Sequence, residues 1–128
     1  RYSSSFIGRY EDKVENQFYW YIRPQETGNK TDVRWLALLN SEGEGVKITG
    51  LQPIAFSALH FSPEDLDPGL TRKLQHTIDI VPQKNIFLHV DLKQRGLGGD
   101  NSWGMYPHNK YRLLDKKYVY SYMIELID

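Results

Sequence analysis

The stretch Thr31-Asp-Val-Arg-Trp-Leu-Ala-Leu-Leu39 decides the fold class of this 128-residue sequence. Successive side chains of a strand point to opposite faces, so Val33 and Trp35 share one face. Leu36 and Leu38 make the other face apolar as well, which is typical of a central strand covered on both sides. We therefore predict a buried strand over residues 31–39.

The same period of two predicts further strands on both sides of this stretch. They cover residues 18–22, 46–49, 54–59, 78–80, 87–92, 111–113 and 118–126. Residues 42–45 are expected to form a hairpin turn, and residues 62–65 begin a short helix with a capping serine. About seven to nine short strands without long helices predict an all-β fold, an antiparallel β-sandwich, in a single domain of residues 1–128.

Composition excludes several function classes. Lys plus Arg number 16 and Asp plus Glu number 16, so the basic surplus that binds nucleic acid or anionic membranes is lacking. There is no cysteine, which excludes disulfides and thiolate metal sites. No apolar run approaches the roughly 20 residues of a membrane span. We expect a soluble protein and leave its compartment open between cytoplasm and periplasm, and the start at Arg1 without Met predicts a fragment of a longer chain.

The strongest candidate site is Gly96-Leu-Gly-Gly-Asp-Asn-Ser-Trp-Gly104, inside a long loop. Long irregular loops in compact domains are more often functional than accidental. The residues expected to shape this loop are Gly98, Gly99, Asp100 and Ser102, through backbone freedom and local hydrogen bonds. Trp103 would then be a rigid flat surface at the tip. The alternative is that Trp103 folds back and fills one end of the sandwich.

No catalytic or metal-binding motif is present. The four histidines lack the spacing of metal ligands, and the acids at 64, 65 and 67 lack the alternation of a calcium loop. His89 and Asp91 lie on one strand face and are predicted to form a buried hydrogen-bonded pair. Asp32 and Arg34 are predicted to join a structural ion network, with a direct sugar contact by Glu26 or Arg34 as the alternative.

Three blocks of the sequence carry a family resemblance. The first is Pro24-Gln-Glu-Thr-Gly-Asn-Lys-Thr-Asp-Val-Arg-Trp-Leu-Ala-Leu38. The second combines Phe56-Ser-Ala-Leu59 with Ser62-Pro-Glu-Asp-Leu66, and the third is the loop of residues 96–104. Together they resemble the small-chain domain of glycoside hydrolase family 2 β-galactosidases, with Lys30 standing where many members have Arg. Because the blocks occur in order over most of the chain, the resemblance is specific.

The resemblance implies the C-terminal part of a galactose-mutarotase-like supersandwich. It also implies that the two catalytic glutamates of a retaining glycosidase lie in a barrel domain outside these residues, so no catalytic residue is assigned here. Trp103 would reach the active-site pocket and stack on a β-galactoside. Partners would be the sugar and other domains of the same chain, in a homo-oligomeric parent. No cofactor or metal is assigned to this part, and any Mg²⁺ or Na⁺ of the parent would be bound by other domains.

Two other functions remain open from the residues. The chain could be a free-standing carbohydrate-binding module, which predicts measurable galactoside affinity. It could instead be a purely structural or oligomerisation domain, in which case replacing Trp103 leaves catalysis unchanged.

Overall fold

The computed structural model describes residues 6–21, 26–67, 69–70, 76–101 and 103–128. The chain divides into two compact units, which are described separately. The first comprises Arg1–Gly28 with Ser57–Leu88, and the second Asn29–Phe56 with His89–Asp128. The single domain expected over residues 1–128 stays a prediction.

The described strands form one four-stranded sheet. They are β1 (Lys30–Leu39), β2 (Gly45–Leu59), β3 (Phe87–Asp91) and β4 (Tyr122–Ile127). The order is β1-β2-β3, β4 also pairs with β2, and both β1 and β4 run antiparallel to β2. The helices of the described residues are short: α1 (Pro63–Leu66) and 3₁₀ helices at Val14–Gln17, Thr77–Asp79 and Asn109–Tyr111. The predicted all-β, antiparallel class is confirmed, while the second layer of a sandwich stays a prediction.

The core of the second unit lies on one face of β1 and β2. Leu36 of β1 is opposite Ile48 of β2, which is in turn opposite Ile124 of β4. Leu36 and Ile48 are buried, and so is Ile54 further along β2. Burial of such aliphatic side chains is the main stabilising contribution of a sheet face. The strongest sequence pattern therefore marks a real strand with an apolar face.

An irregularity interrupts the β1–β2 ladder near Pro53. Trp35 is opposite Thr49, but Val33, two residues earlier, is opposite Ile54. The extra residues on β2 form a bulge, where a proline without an N–H costs no ladder hydrogen bond. The two strands predicted at 46–49 and 54–59 are consequently a single strand.

The core of the first unit is built from the last residue of β2 and from residues that follow it. Leu59, Phe61, Leu66 and Ile80 form one buried cluster. Phe18 packs against this cluster, and its ring centroid lies 4.5 Å from that of Phe61. Aromatic rings at this spacing add to the stabilisation from area burial alone.

Helix α1 begins with the predicted serine cap. The Ser62 hydroxyl accepts from the Asp65 N–H at 3.2 Å, and Asp65 accepts from the Ser62 N–H at 2.7 Å. The side-chain amide of Gln83 also donates to Asp65, at 2.6 Å. Burial raises the pKa of Asp65, but these hydrogen bonds to its charged form outweigh burial and lower the pKa below its ordinary value.

Four predictions of local structure are wrong. Residues 18–21 are not a strand, the predicted strand at 78–80 is largely the 3₁₀ helix Thr77–Asp79, and the one at 111–113 begins in the 3₁₀ helix Asn109–Tyr111. These segments are too short for alternation to distinguish a strand from another extended or turned conformation. The strand β1 is not central either: it lies at the edge of the described sheet, with Trp35 and Leu39 exposed.

Candidate functional site

The candidate site is the loop that follows β3, and its neck is closed at Gly96. The N–H of Gly96 donates to the carbonyl oxygen of Tyr111 at 2.7 Å. A Cβ at Gly96 would lie 2.9 Å from the Cβ of Tyr111 and 3.3 Å from that of Pro107, which is buried. The absent side chain therefore lets the two limbs of the loop approach each other. The near limb comprises residues 96–100, before the tip, and the far limb comprises residues 104–112, after it.

Gly98 and Gly99 have different surroundings, although the sequence placed them in the same shaping role. A Cβ at Gly99 would lie 2.7 Å from the Cβ of Met105 and 2.7 Å from the carbonyl oxygens of Met105 and Tyr106. A Cβ at Gly98 would have nothing within 4 Å. Only Gly99 of the two lies where a side chain would force the backbone to move.

The tip of the loop is folded by a local hydrogen bond. The side-chain oxygen of Asn101 accepts from the N–H of Trp103 at 2.9 Å, which forms an Asx turn. Gly104 follows with a φ of +98°, a conformation that side chains disfavour. Ser102, the remaining predicted shaping residue, lies outside the described residues.

Trp103 points away from the core of its unit. Its side chain is 93% exposed, so it does not fold back to fill a sheet end within the described structure. An exposed indole offers a flat apolar face and one N–H donor. Chemically, this arrangement can bind a ring by stacking, and it supplies no group for proton transfer.

A second contact joins the limbs of the loop below the tip. Nε2 of His108 donates to Oδ1 of Asp100 at 2.8 Å. This hydrogen bond, and then the negative charge of Asp100, raise the pKa of His108 above its ordinary value. Asp100 was predicted to shape the loop, but no role was predicted for His108, because nothing in an eight-residue separation indicates that the two side chains meet.

The limb after the tip carries cations over aromatic rings. The guanidinium of Arg112 lies 4.8 Å from the ring centroid of Tyr106 and donates to Asn109 at 3.3 Å. The ammonium of Lys110 lies 4.6 Å from the ring centroid of Tyr111. Such contacts hold exposed aromatic side chains in place at a modest gain in free energy.

The ion network predicted for β1 is not formed. Asp32 and Arg34 are both exposed, and neither makes an ion pair with another described residue. Asp32 instead occupies a bulge with a φ of +58°. Glu26 is exposed as well, and Pro24 and Gln25 of the same block lie outside the described residues.

The pair predicted between His89 and Asp91 is not formed either. His89 is exposed, and no hydrogen bond joins it to Asp91. Throughout the described part of the chain, no group of three or more His, Cys, Asp or Glu side chains could hold a metal ion. None of the described helices is long and apolar enough to cross a membrane.

Comparison with known proteins gives a consistent match. The family model described as the β-galactosidase small chain matches residues 1–124. A β-galactosidase of Priestia megaterium is 35% identical over 113 residues, which are 88% of this chain and 10% of that protein. A β-galactosidase of Streptococcus thermophilus is 32% identical over 123 residues, 94% of this chain and 12% of that protein. A β-galactosidase of Bifidobacterium adolescentis is 36% identical over 96 residues, 73% of this chain and 9% of that protein. The chain thus spans about a tenth of the length of the curated relatives it matches.

Proposed function

This chain belongs to the β-galactosidase small-chain family, and on that premise we propose that it is the C-terminal domain of a β-galactosidase. The full-length protein hydrolyses terminal β-D-galactosides. In it, the loop of residues 96–104 reaches the active-site pocket, and Trp103 stacks on the sugar.

The exposure of Trp103 carries the proposal. A tryptophan that is 93% exposed leaves a large apolar surface in water, which is unfavourable unless a ligand or another domain covers it. One hydrogen bond within the tip and another across its base hold this loop, so the indole is presented by a folded backbone. A flat aromatic face held in this way suits the apolar face of a sugar ring.

The catalytic groups are expected in another part of the full-length protein. Retaining glycoside hydrolysis needs two carboxyl groups about 5 Å apart on either side of the scissile bond. We place both in a barrel domain, together with any Mg²⁺ or Na⁺. The role of Trp103 is then to bind sugar and exclude water, and the isolated chain is inactive.

Exposed apolar residues on β4 support a contact with other domains of the same polypeptide. Ile124 and Leu126 are 61% and 80% exposed, although their neighbours across the ladder are Ile48 and Val46. An apolar sheet face left partly uncovered is typical of a surface that another element covers. This uncovered face favours a domain of a larger enzyme over a free-standing carbohydrate-binding module. We propose that the larger enzyme is a homo-oligomer.

The test is the Michaelis constant of the full-length enzyme for lactose. We expect Trp103→Ala to raise it by roughly tenfold, or about 1.4 kcal/mol of binding free energy, with the fold retained. Trp103→Phe should restore part of the loss because it keeps an aromatic face. Trp20→Ala is the control, since it removes another exposed indole, on the first unit. An unchanged Michaelis constant in Trp103→Ala would leave a purely structural role.

A further inference from the structure

We propose that Asp100 and His108 form a positioning pair that sets the direction in which Trp103 faces the sugar. The inference rests on the proposed function, because it assigns these residues a role that acts through Trp103. Neither residue is proposed to touch the reacting atoms.

The placement of the pair supports this role. Asp100 precedes Trp103 by three residues and His108 follows it by five, so their hydrogen bond spans the base of the tip. The approach of Gly99 to Met105 lies beside this hydrogen bond, since Gly99 directly precedes Asp100 while Met105 falls between Trp103 and His108, and the hydrogen bond from Gly96 to Tyr111 lies nearer the sheet. The pair and the Gly99–Met105 approach therefore join the two limbs together at the base of the tip.

Trp103 depends on its backbone for orientation. With 93% of the side chain exposed, packing within its own unit does little to restrict the indole. The Asx turn from Asn101 fixes the backbone at the tip only relative to its near limb. Without the contact of Asp100 with His108, the approach of Gly99 to Met105 has to hold the base of the tip by itself, and we expect the tip and the indole to shift.

The pair also gives the loop a dependence on pH. Asp100 favours the protonated imidazole, so the pKa of His108 is raised. The stabilisation of the loop by the charged pair is fully present below about pH 6.5, the ordinary pKa of histidine. It is lost as the pH rises through the raised pKa of His108. The cations of the same limb contact aromatic rings, Lys110 that of Tyr111 and Arg112 that of Tyr106, and neither contributes to the shift in the pKa of His108. Asp100 is the charged group, among those described, that acts on His108.

The experiment uses the full-length enzyme with lactose as substrate. At pH 6, His108→Ala and Asp100→Asn should each raise the Michaelis constant about two- to fivefold, the range for an exposed charge pair, with a smaller change in kcat. His108→Gln should restore part of the loss, because its amide can still donate to Asp100. The difference between wild type and His108→Gln should vanish as the pH rises through the raised pKa.

Combining variants separates positioning from a general structural effect. In a Trp103→Ala background, His108→Ala should change the Michaelis constant no further, since the indole it positions is gone. An equal effect in both backgrounds, or no effect of His108→Ala in the wild type, would overturn the pair's role and leave the proposed function standing. If Trp103→Ala itself has no effect, the proposed function fails and the inference fails with it.

Discussion

Gly99 and Met105 approach each other so closely that a Cβ on the glycine would lie 2.7 Å from the Cβ of the methionine. Real Cβ atoms do not come this near to a neighbour without displacing it. Because the carbonyl oxygen of Met105 is equally close, the displacement would involve the backbone of the far limb. The approach of these limbs fixes the base from which Trp103 projects.

Gly99→Ala should therefore weaken sugar binding through the loop. We expect the Michaelis constant of the full-length enzyme for lactose to rise roughly tenfold, because a displacement of about 1 Å in a positioning loop has effects of at least this size. Gly98→Ala is the matched control, since its Cβ would meet nothing within 4 Å, and it should change the constant by less than about twofold. Equal effects of the two substitutions would show that the tight approach is not what shapes the loop.

Gly28 lies in the first sequence block and should be hard to replace. Its φ is +74°, and a Cβ would lie 2.7 Å from the carbonyl oxygen of Gln17 and 3.1 Å from a methyl carbon of Leu59. Gly43 has a similar φ of +89° with open space around it. Gly43→Ala therefore carries only the backbone strain of a positive φ, roughly 1 kcal/mol, and no steric clash. Gly28→Ala should accelerate thermal inactivation of the full-length enzyme well beyond Gly43→Ala. Similar inactivation rates would mean that the clash is relieved at no cost.

The cap of α1 should make the free energy of unfolding depend on pH in the acid range. Hydrogen bonds from Ser62 and Gln83 lower the pKa of Asp65, so the stabilisation is present above its ordinary value of 3.8 and is lost as the pH falls through the lowered pKa. Asp65→Asn should be less stable than wild type at neutral pH, and this difference should shrink below about pH 3.8. Urea unfolding followed by fluorescence at several pH values measures it. A difference that stays constant down to pH 2 would contradict the ionised cap.

Several elements could be predicted because their signals are local. Alternation over residues 31–39 found β1, and Ser62 followed by Pro63 found the cap of α1. Strand position in the sheet could not be predicted in the same way. Apolar residues on both faces indicated a central strand, but β1 is at the edge and leaves Trp35 exposed, since the pattern does not reveal what covers each face.

The candidate site shows the same division between local and longer-range information. Four glycines around Trp103 marked the loop, and the hydrogen bond from the Trp103 N–H to Asn101 is of the local kind expected to shape it. The pairing of Asp100 with His108 depends on how the loop closes, which spacing in the sequence does not encode. The different surroundings of Gly98 and Gly99 likewise follow from the path of the opposite limb.

A crystal structure of the full-length enzyme with a galactoside inhibitor bound would show directly whether Trp103 stacks on the sugar. We expect the six-membered ring of the Trp103 indole to lie flat against the sugar, with carbon atoms about 4 Å apart. A bound sugar whose faces are covered by other side chains, with the Trp103 indole turned to solvent or buried against a different domain, would contradict it.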